Sequence, residues 1–177
     1  MKEATDNFLL ISPPTPIAKD VSLFKQRFRR ILGHSYESEF SKAHISLIKY
    51  RDVHSDNMLY HISDNVLSGF KPFTIYINGL YVLRHGENHT ICLNIINKNS
   101  VCELMRKLTG QESLPHITLA KNLSKEDFNK LWPAIRNTRY ANSFKCESIT
   151  VLRGNDGTWT YYTELPFSLS CRYNRCI

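Results

Sequence analysis

Residues 43–49 read Ala-His-Ile-Ser-Leu-Ile-Lys, and residues 115–121 read Pro-His-Ile-Thr-Leu-Ala-Lys. The two segments align without a gap on histidine, isoleucine, a hydroxyl residue, leucine and lysine, and their histidines stand 72 positions apart. If both are strands, successive side chains alternate between faces. His44 and Ser46 then share one face while Ile45 and Leu47 share the other, and His116 with Thr118, against Ile117 with Leu119, repeats the arrangement. Each copy offers an imidazole beside a hydroxyl on one side and aliphatic anchors on the other.

The flanks of the two copies follow one plan. Asn7 to Ser12 is a short apolar run ended by Pro13 and Pro14, which reads as a buried first strand. A helix is expected next, with Thr15 as N-cap and Pro16 at its first position. Ile17, Val21, Phe24, Phe28 and Ile31 recur at three- and four-residue steps until Gly33. Lys25, Arg27, Arg29 and Arg30 are assigned to its basic, solvent-facing side. The polar stretch from Gly33 to Lys42 reads as a mobile loop into the first motif. In the second half, His89 to Ile96 reads as a strand, and a helix carrying Val101, Leu104, Met105 and Leu108 runs to Gly110 before the second motif. Strand, helix, motif strand thus occurs twice, which reads as an internal duplication.

Between the halves a helix is expected from about Ser55 to Ser68. A hairpin is expected with strands at Phe73–Ile77 and Tyr81–Arg84 around Asn78-Gly79. Ser124 N-caps a last helix that Pro133 should kink or shorten. Phe144–Arg153 and Thr158–Phe167 read as a closing hairpin around the turn at residues 154–157.

Length and composition narrow the class. The 177 residues, 42% hydrophobic, suit a single domain over 1–177. A net charge of +7 and a pI near 9.2 favour anionic partners. The five cysteines form no Cys-x-x-Cys pair, and their odd number argues for thiols in a reducing compartment. The expectation is a soluble, cytoplasmic protein with no membrane segment. The sequence lacks a phosphate-binding Walker loop, a dinucleotide glycine fingerprint, a His-Glu-x-x-His helix, a nucleophile elbow and four-ligand zinc spacing. His54 and His61 lack further ligands, so neither a metal nor another cofactor is expected.

Two matched His/hydroxyl pairs suit transfer at phosphorus. An attacking hydroxyl or water needs a base and the leaving oxygen an acid, and histidine serves as either near neutral pH. The hydroxyls of Ser46 and Thr118 are spaced to donate to the non-bridging oxygens. The twin His-Ile-Ser-Leu and His-Ile-Thr-Leu signatures resemble the 2H phosphoesterase superfamily, especially its bacterial 2'-5' RNA ligase (LigT-like) branch, with Pro-His-Ile-Thr-Leu-Ala-Lys the nearest match. That resemblance implies an α+β fold of two lobes. Each lobe has a mainly antiparallel sheet with outer helices, and a pseudo-twofold axis relates them about a central groove. It implies hydrolysis of 2',3'-cyclic phosphates at RNA ends or on small nucleotides, or 2'-5' RNA ligase-like chemistry. His44 and His116 carry over as acid and base, unassigned, and Ser46 and Thr118 as phosphate-holding residues.

Strict alternation puts the matched Lys49 and Lys121 on the faces opposite the histidines and leaves Tyr50 in parity with His44. Lys121, Tyr50 and Arg153 are auxiliary candidates. No obligatory protein partner is implied. The alternative reading is an RNA- or nucleotide-binding module that keeps the phosphate cradle with little catalysis.

Overall fold

The structure, a computed structural model, describes residues 5–53, 55–155 and 158–167. The first half comprises β1 (Thr5–Ile11), α1 (Thr15–Leu32), β2 (Ile45–Val53) and α2 (Ser55–His61), the last continuing as a π-helical turn over Ile62–Val66. The second comprises β3 (Phe73–His85), β4 (Asn88–Ile95), α3 (Asn99–Thr109), β5 (His116–Leu123), α4 (Lys125–Ile135) and β6 (Ala141–Cys146). β7 (Ser148–Asn155) and β8 (Thr158–Pro166) close the fold.

The strands form two four-stranded antiparallel sheets, ordered β2-β1-β7-β8 and β5-β4-β3-β6. The duplication is visible in this order: each motif strand is a sheet edge, and its inner neighbour is the strand that precedes it in its own half. The helices are exchanged, since α1 contacts β5 and α3 contacts β2. The two edge strands also contact one another. One hydrophobic cluster joins the halves, with Leu9, Ile11, Ile45 and Leu47 from one sheet and Ile91, Leu93, Ile117 and Leu119 from the other.

Several elements depart from their sequence reading. α1 begins at Thr15 itself, so its N-cap is Pro14, which offers no side-chain acceptor. Lys25 is not on the solvent face: it lies 3% exposed in the stripe Ile17, Val21, Lys25, Phe28, Leu32. Asn78-Gly79 is not a hairpin turn. β3 runs through it, pairing with β6 up to Asn78 and with β4 from Ile77, and the change of partner is made by a bulge. Gly79 takes φ 75° there, and its N–H donates to the Tyr140 carbonyl. The turn lies beyond, at Gly86-Glu87 between β3 and β4.

The run 144–153 is two strands, split at Glu147, where the chain passes from one sheet to the other. Phe144 and Cys146 are buried before the break, and Ile149 and Val151 after it. The step of three between Cys146 and Ile149 marks the change of face. α4 starts with Ser124 accepting from the Asp127 N–H at 3.1 Å and ends two residues past Pro133. Cys92 and Cys146 are buried, with thiols that burial pushes up to about 12. His54, Cys171, Cys176 and part of the last turn fall outside the described residues. Among those described, no helix is long and apolar enough to cross a membrane.

Candidate active site

His44 immediately precedes β2, and His116 is the first residue of β5. Each ring is held in the same way. His44 Nδ1 lies 2.8 Å from the Lys42 carbonyl oxygen, and His116 Nδ1 lies 2.7 Å from that of Leu114, two residues back in both cases. A carbonyl only accepts, so both Nδ1 atoms carry the proton and Nε2 of each neutral ring is left unprotonated, free to act as an acceptor. Burial is the largest cause lowering both imidazole pKa values, and the carbonyl bonds oppose it. The charges of Lys25, Lys49 and His116 lower His44 further, and that of His85 lowers His116. The two histidines thus stand at the starts of the two edge strands that contact one another across the seam between the sheets.

Ser46 is exposed and Thr118 partly so, and neither hydroxyl is engaged by another side chain or carbonyl among the described residues. Ser46 pairs with Leu10 and Thr118 with Cys92. Immediately after these pairs, both motif strands carry a bulge. Leu10 pairs with Ser46 but Leu9 with Ile48, leaving Leu47 as the extra residue; Cys92 pairs with Thr118 but Ile91 with Ala120, leaving Leu119. An extra residue reverses the alternation beyond it. The matched leucines are therefore where each motif strand turns.

This bulge corrects the parity argument. Lys49, opposite Phe8 in the register, comes round to the His44 face. Its Nζ stands 4.8 Å from the Phe8 ring centre and 5.3 Å from that of Trp159, while the Phe8 ring is 5.4 Å from the His44 ring. Trp159 pairs with Gly154, where an added Cβ would collide with the Thr158 carbonyl oxygen, so glycine is required at that crossing. Lys49, Phe8 and Trp159 thus form a cationic aromatic ledge beside His44. No motif marks these residues; the register alone assembles them.

The auxiliary candidates are each engaged in contacts of their own. The Tyr50 hydroxyl donates to the Leu108 carbonyl at 3.1 Å, at the end of α3. Arg153 pairs with Asn7 and so lies on the opposite face of its sheet. Its guanidinium donates to Asn7 Oδ1 at 3.2 Å and Asp56 Oδ1 at 2.7 Å and lies 3.3 Å from the Tyr162 ring centre. Lys121 Nζ is 2.8 Å from Glu37 Oε1 on the loop that leads to His44. His61 shares a hydrogen bond with Asn65.

Comparison with known proteins agrees with this architecture. Residues 13–158 match the family model described as the 2'-5' RNA ligase superfamily. The crystal structure of E. coli LigT complexed with phosphate superposes with a TM-score of 0.69 at 14% identity, over 94% of this chain and 99% of that one. The crystal structure of TT0787 from Thermus thermophilus gives 0.64 at 14% identity, over 93% and 99%. A crystal structure described as a phosphoesterase gives 0.61 at 13%, over 94% and 99%. No curated protein sequence matches.

Proposed function

Because the chain belongs to the 2'-5' RNA ligase superfamily, we propose that it is a phosphodiesterase that opens 2',3'-cyclic phosphates at RNA ends or on nucleotides, with His44 and His116 as the acid–base pair. The observation that carries this reading is the matched pair of Nδ1–carbonyl bonds, which leaves Nε2 as the reacting nitrogen of two neighbouring imidazoles. One Nε2 takes a proton from the attacking water as its oxygen bonds to phosphorus. The other, protonated, gives its proton to the 2'- or 3'-oxygen as that P–O bond breaks. Each such transfer is worth on the order of 10²–10⁴-fold in rate. The lowered pKa values favour the base form of both rings, and a phosphate anion between them raises both, restoring an acid at the moment of binding.

The Ser46 and Thr118 hydroxyls donate to the non-bridging oxygens, and Lys49 supplies positive charge on the same side. Solved structures of E. coli LigT hold 3'-AMP and ATP, and the half-buried Trp159 ring, backed by the buried Phe8, is suited to stack a nucleobase as other aromatic platforms do. Joining of 2'-5' ends is the same ring-opening displacement with a ribose 5'-hydroxyl in place of water: its oxygen bonds to phosphorus as the bond to the 3'-oxygen breaks, and the reverse step cleaves the linkage and closes the ring. The single-domain reading over 1–177 accompanies this proposal. The test is turnover beside binding. Purified protein with chelator is given cyclic mononucleotides, cyclic-ended oligonucleotides and 2'-5'-linked oligomers. Ring opening supports the enzyme, whereas salt-sensitive binding without product favours the binding-module alternative.

A further inference from the structure

The two histidines stand on edge strands of different sheets, and no ladder of backbone hydrogen bonds joins β2 to β5. Their separation must be set by something other than strand pairing. The segment Tyr36-Glu37-Ser38, six to eight residues before His44, lies along β5. Glu37 takes Lys121 Nζ at 2.8 Å on one carboxylate oxygen and Asn122 Nδ2 at 2.6 Å on the other. The Lys121 backbone N–H points to Ser38 Oγ at 3.2 Å and the Glu37 carbonyl at 3.4 Å. The Tyr36 hydroxyl lies 3.4 Å from the Leu119 carbonyl.

The same segment is fixed on its inner side. Buried Lys25 donates to the carbonyls of Ser38 and Ser41 at 2.6 and 2.7 Å and to Ser41 Oγ at 2.7 Å. Lys42, next along, supplies the carbonyl that orients His44. Ser38 and Asn122, which carry these bonds, are the two non-glycine residues of positive φ among those described, at 75° and 53°. Strained conformations persist where surrounding contacts hold them. The tie has a reciprocal in the other half, since Tyr50, the position in β2 equivalent to Asn122, reaches back to Leu108 before the second motif.

We propose that Glu37 is a positioning residue: through Lys121 and Asn122 it clamps the loop carrying His44 to the strand carrying His116, and so sets the spacing of the two reacting nitrogens. This rests on the phosphodiesterase reading, but one of its tests does not. Lys121 and Glu37 are both about half exposed, 53% and 50%, so the ion pair adds little to global stability. Its loss should act on geometry instead, and misplacement of reacting groups by about an ångström costs up to ~10²-fold.

Glu37→Ala is expected to lower kcat on a cyclic phosphate by about tenfold with KM within about twofold, as loosened positioning predicts. Its thermal midpoint should stay within ~2 °C of wild type, as expected for a surface pair. The charge-exchanged double variant, Glu37→Lys with Lys121→Glu, should recover most of the loss. Unchanged kcat, or a rise showing that Glu37 merely holds Lys121 away from the phosphate, would overturn the proposal. So would a loss that tracks a fall in midpoint. The second measurement needs no turnover: NMR titration of the His44 ring. His116→Gln should move that titration upward in the wild-type background and move it less in Glu37→Ala; equal movement in both would also overturn it. Loss of ring opening in His44→Ala, measured alongside, shows whether the catalytic reading itself stands.

Discussion

Replacing Lys25 by methionine tests the anchoring of the His44 loop through stability. Lys25 is 3% exposed, and burial pushes its ammonium from 10.5 down to about 8. A folded pKa below the unfolded one means that between pH 8 and 10.5 the unfolded chain binds the proton that the folded chain has released. Wild-type stability therefore gains with rising pH across that window and loses the gain as pH falls through 8. The interval from 10.5 to about 8 corresponds to at most about 3 kcal/mol. Three oxygens at 2.6–2.7 Å match the three donors of an ammonium and hold the charged form, so the realised gain lies below that bound. Buried thiols and tyrosines titrate with the opposite sign at alkaline pH, but they are common to both proteins. Urea unfolding of wild type and Lys25→Met at pH 7, 9 and 10.5 isolates the lysine. The wild-type advantage should be smallest at pH 7 and grow towards 10.5. Parallel stabilities across the window, or a shrinking wild-type advantage, would refute the assignment of Lys25 as a buried amine under the loop.

Further outcomes follow from the site. His44 and His116 both have folded pKa values below the ordinary 6.5, so the unfolded chain protonates first as pH drops. Their contribution to stability is complete above 6.5 and declines below it, and urea midpoints for a His44→Gln/His116→Gln double variant should fall less between pH 7.5 and 5 than those of wild type. Ser46→Ala and Thr118→Ala should each reduce kcat on the order of 10²-fold, as loss of an anion donor does, read by steady-state kinetics. Arg153→Met, which breaks the contacts to Asp56 and Asn7 on the far side of the sheet, should leave kcat within about threefold in the same assay. It should lower stability by about 1–3 kcal/mol in urea unfolding, the scale of a charged hydrogen bond.

The paired motifs carried the fold because a pattern of imidazole, hydroxyl and aliphatic anchors can repeat in register only if the chain repeats its strand. Helix ends at Gly33 and Gly110 were legible because each takes the left-handed conformation that glycine tolerates. What escaped were features decided by a partner strand. Asn78-Gly79 is as good a bulge as a turn, and only β6 and β4 pairing on either side makes it one. The Leu47 and Leu119 bulges are invisible to period-two counting, yet the first of them brings Lys49 to His44. Lys25 did leave a trace: it occupies the buried stripe between Val21 and Phe28, where a lysine needs acceptors. Glu37 left none, since its partners lie more than eighty residues away.

The most direct measurement of the central claim is ³¹P NMR of a 2',3'-cyclic phosphate incubated with wild type, His44→Ala and His116→Ala in excess chelator, each checked for folding by circular dichroism. The account predicts a phosphomonoester from wild type and a loss of at least ~10²-fold in each variant. Undiminished ring opening by either folded variant would contradict it.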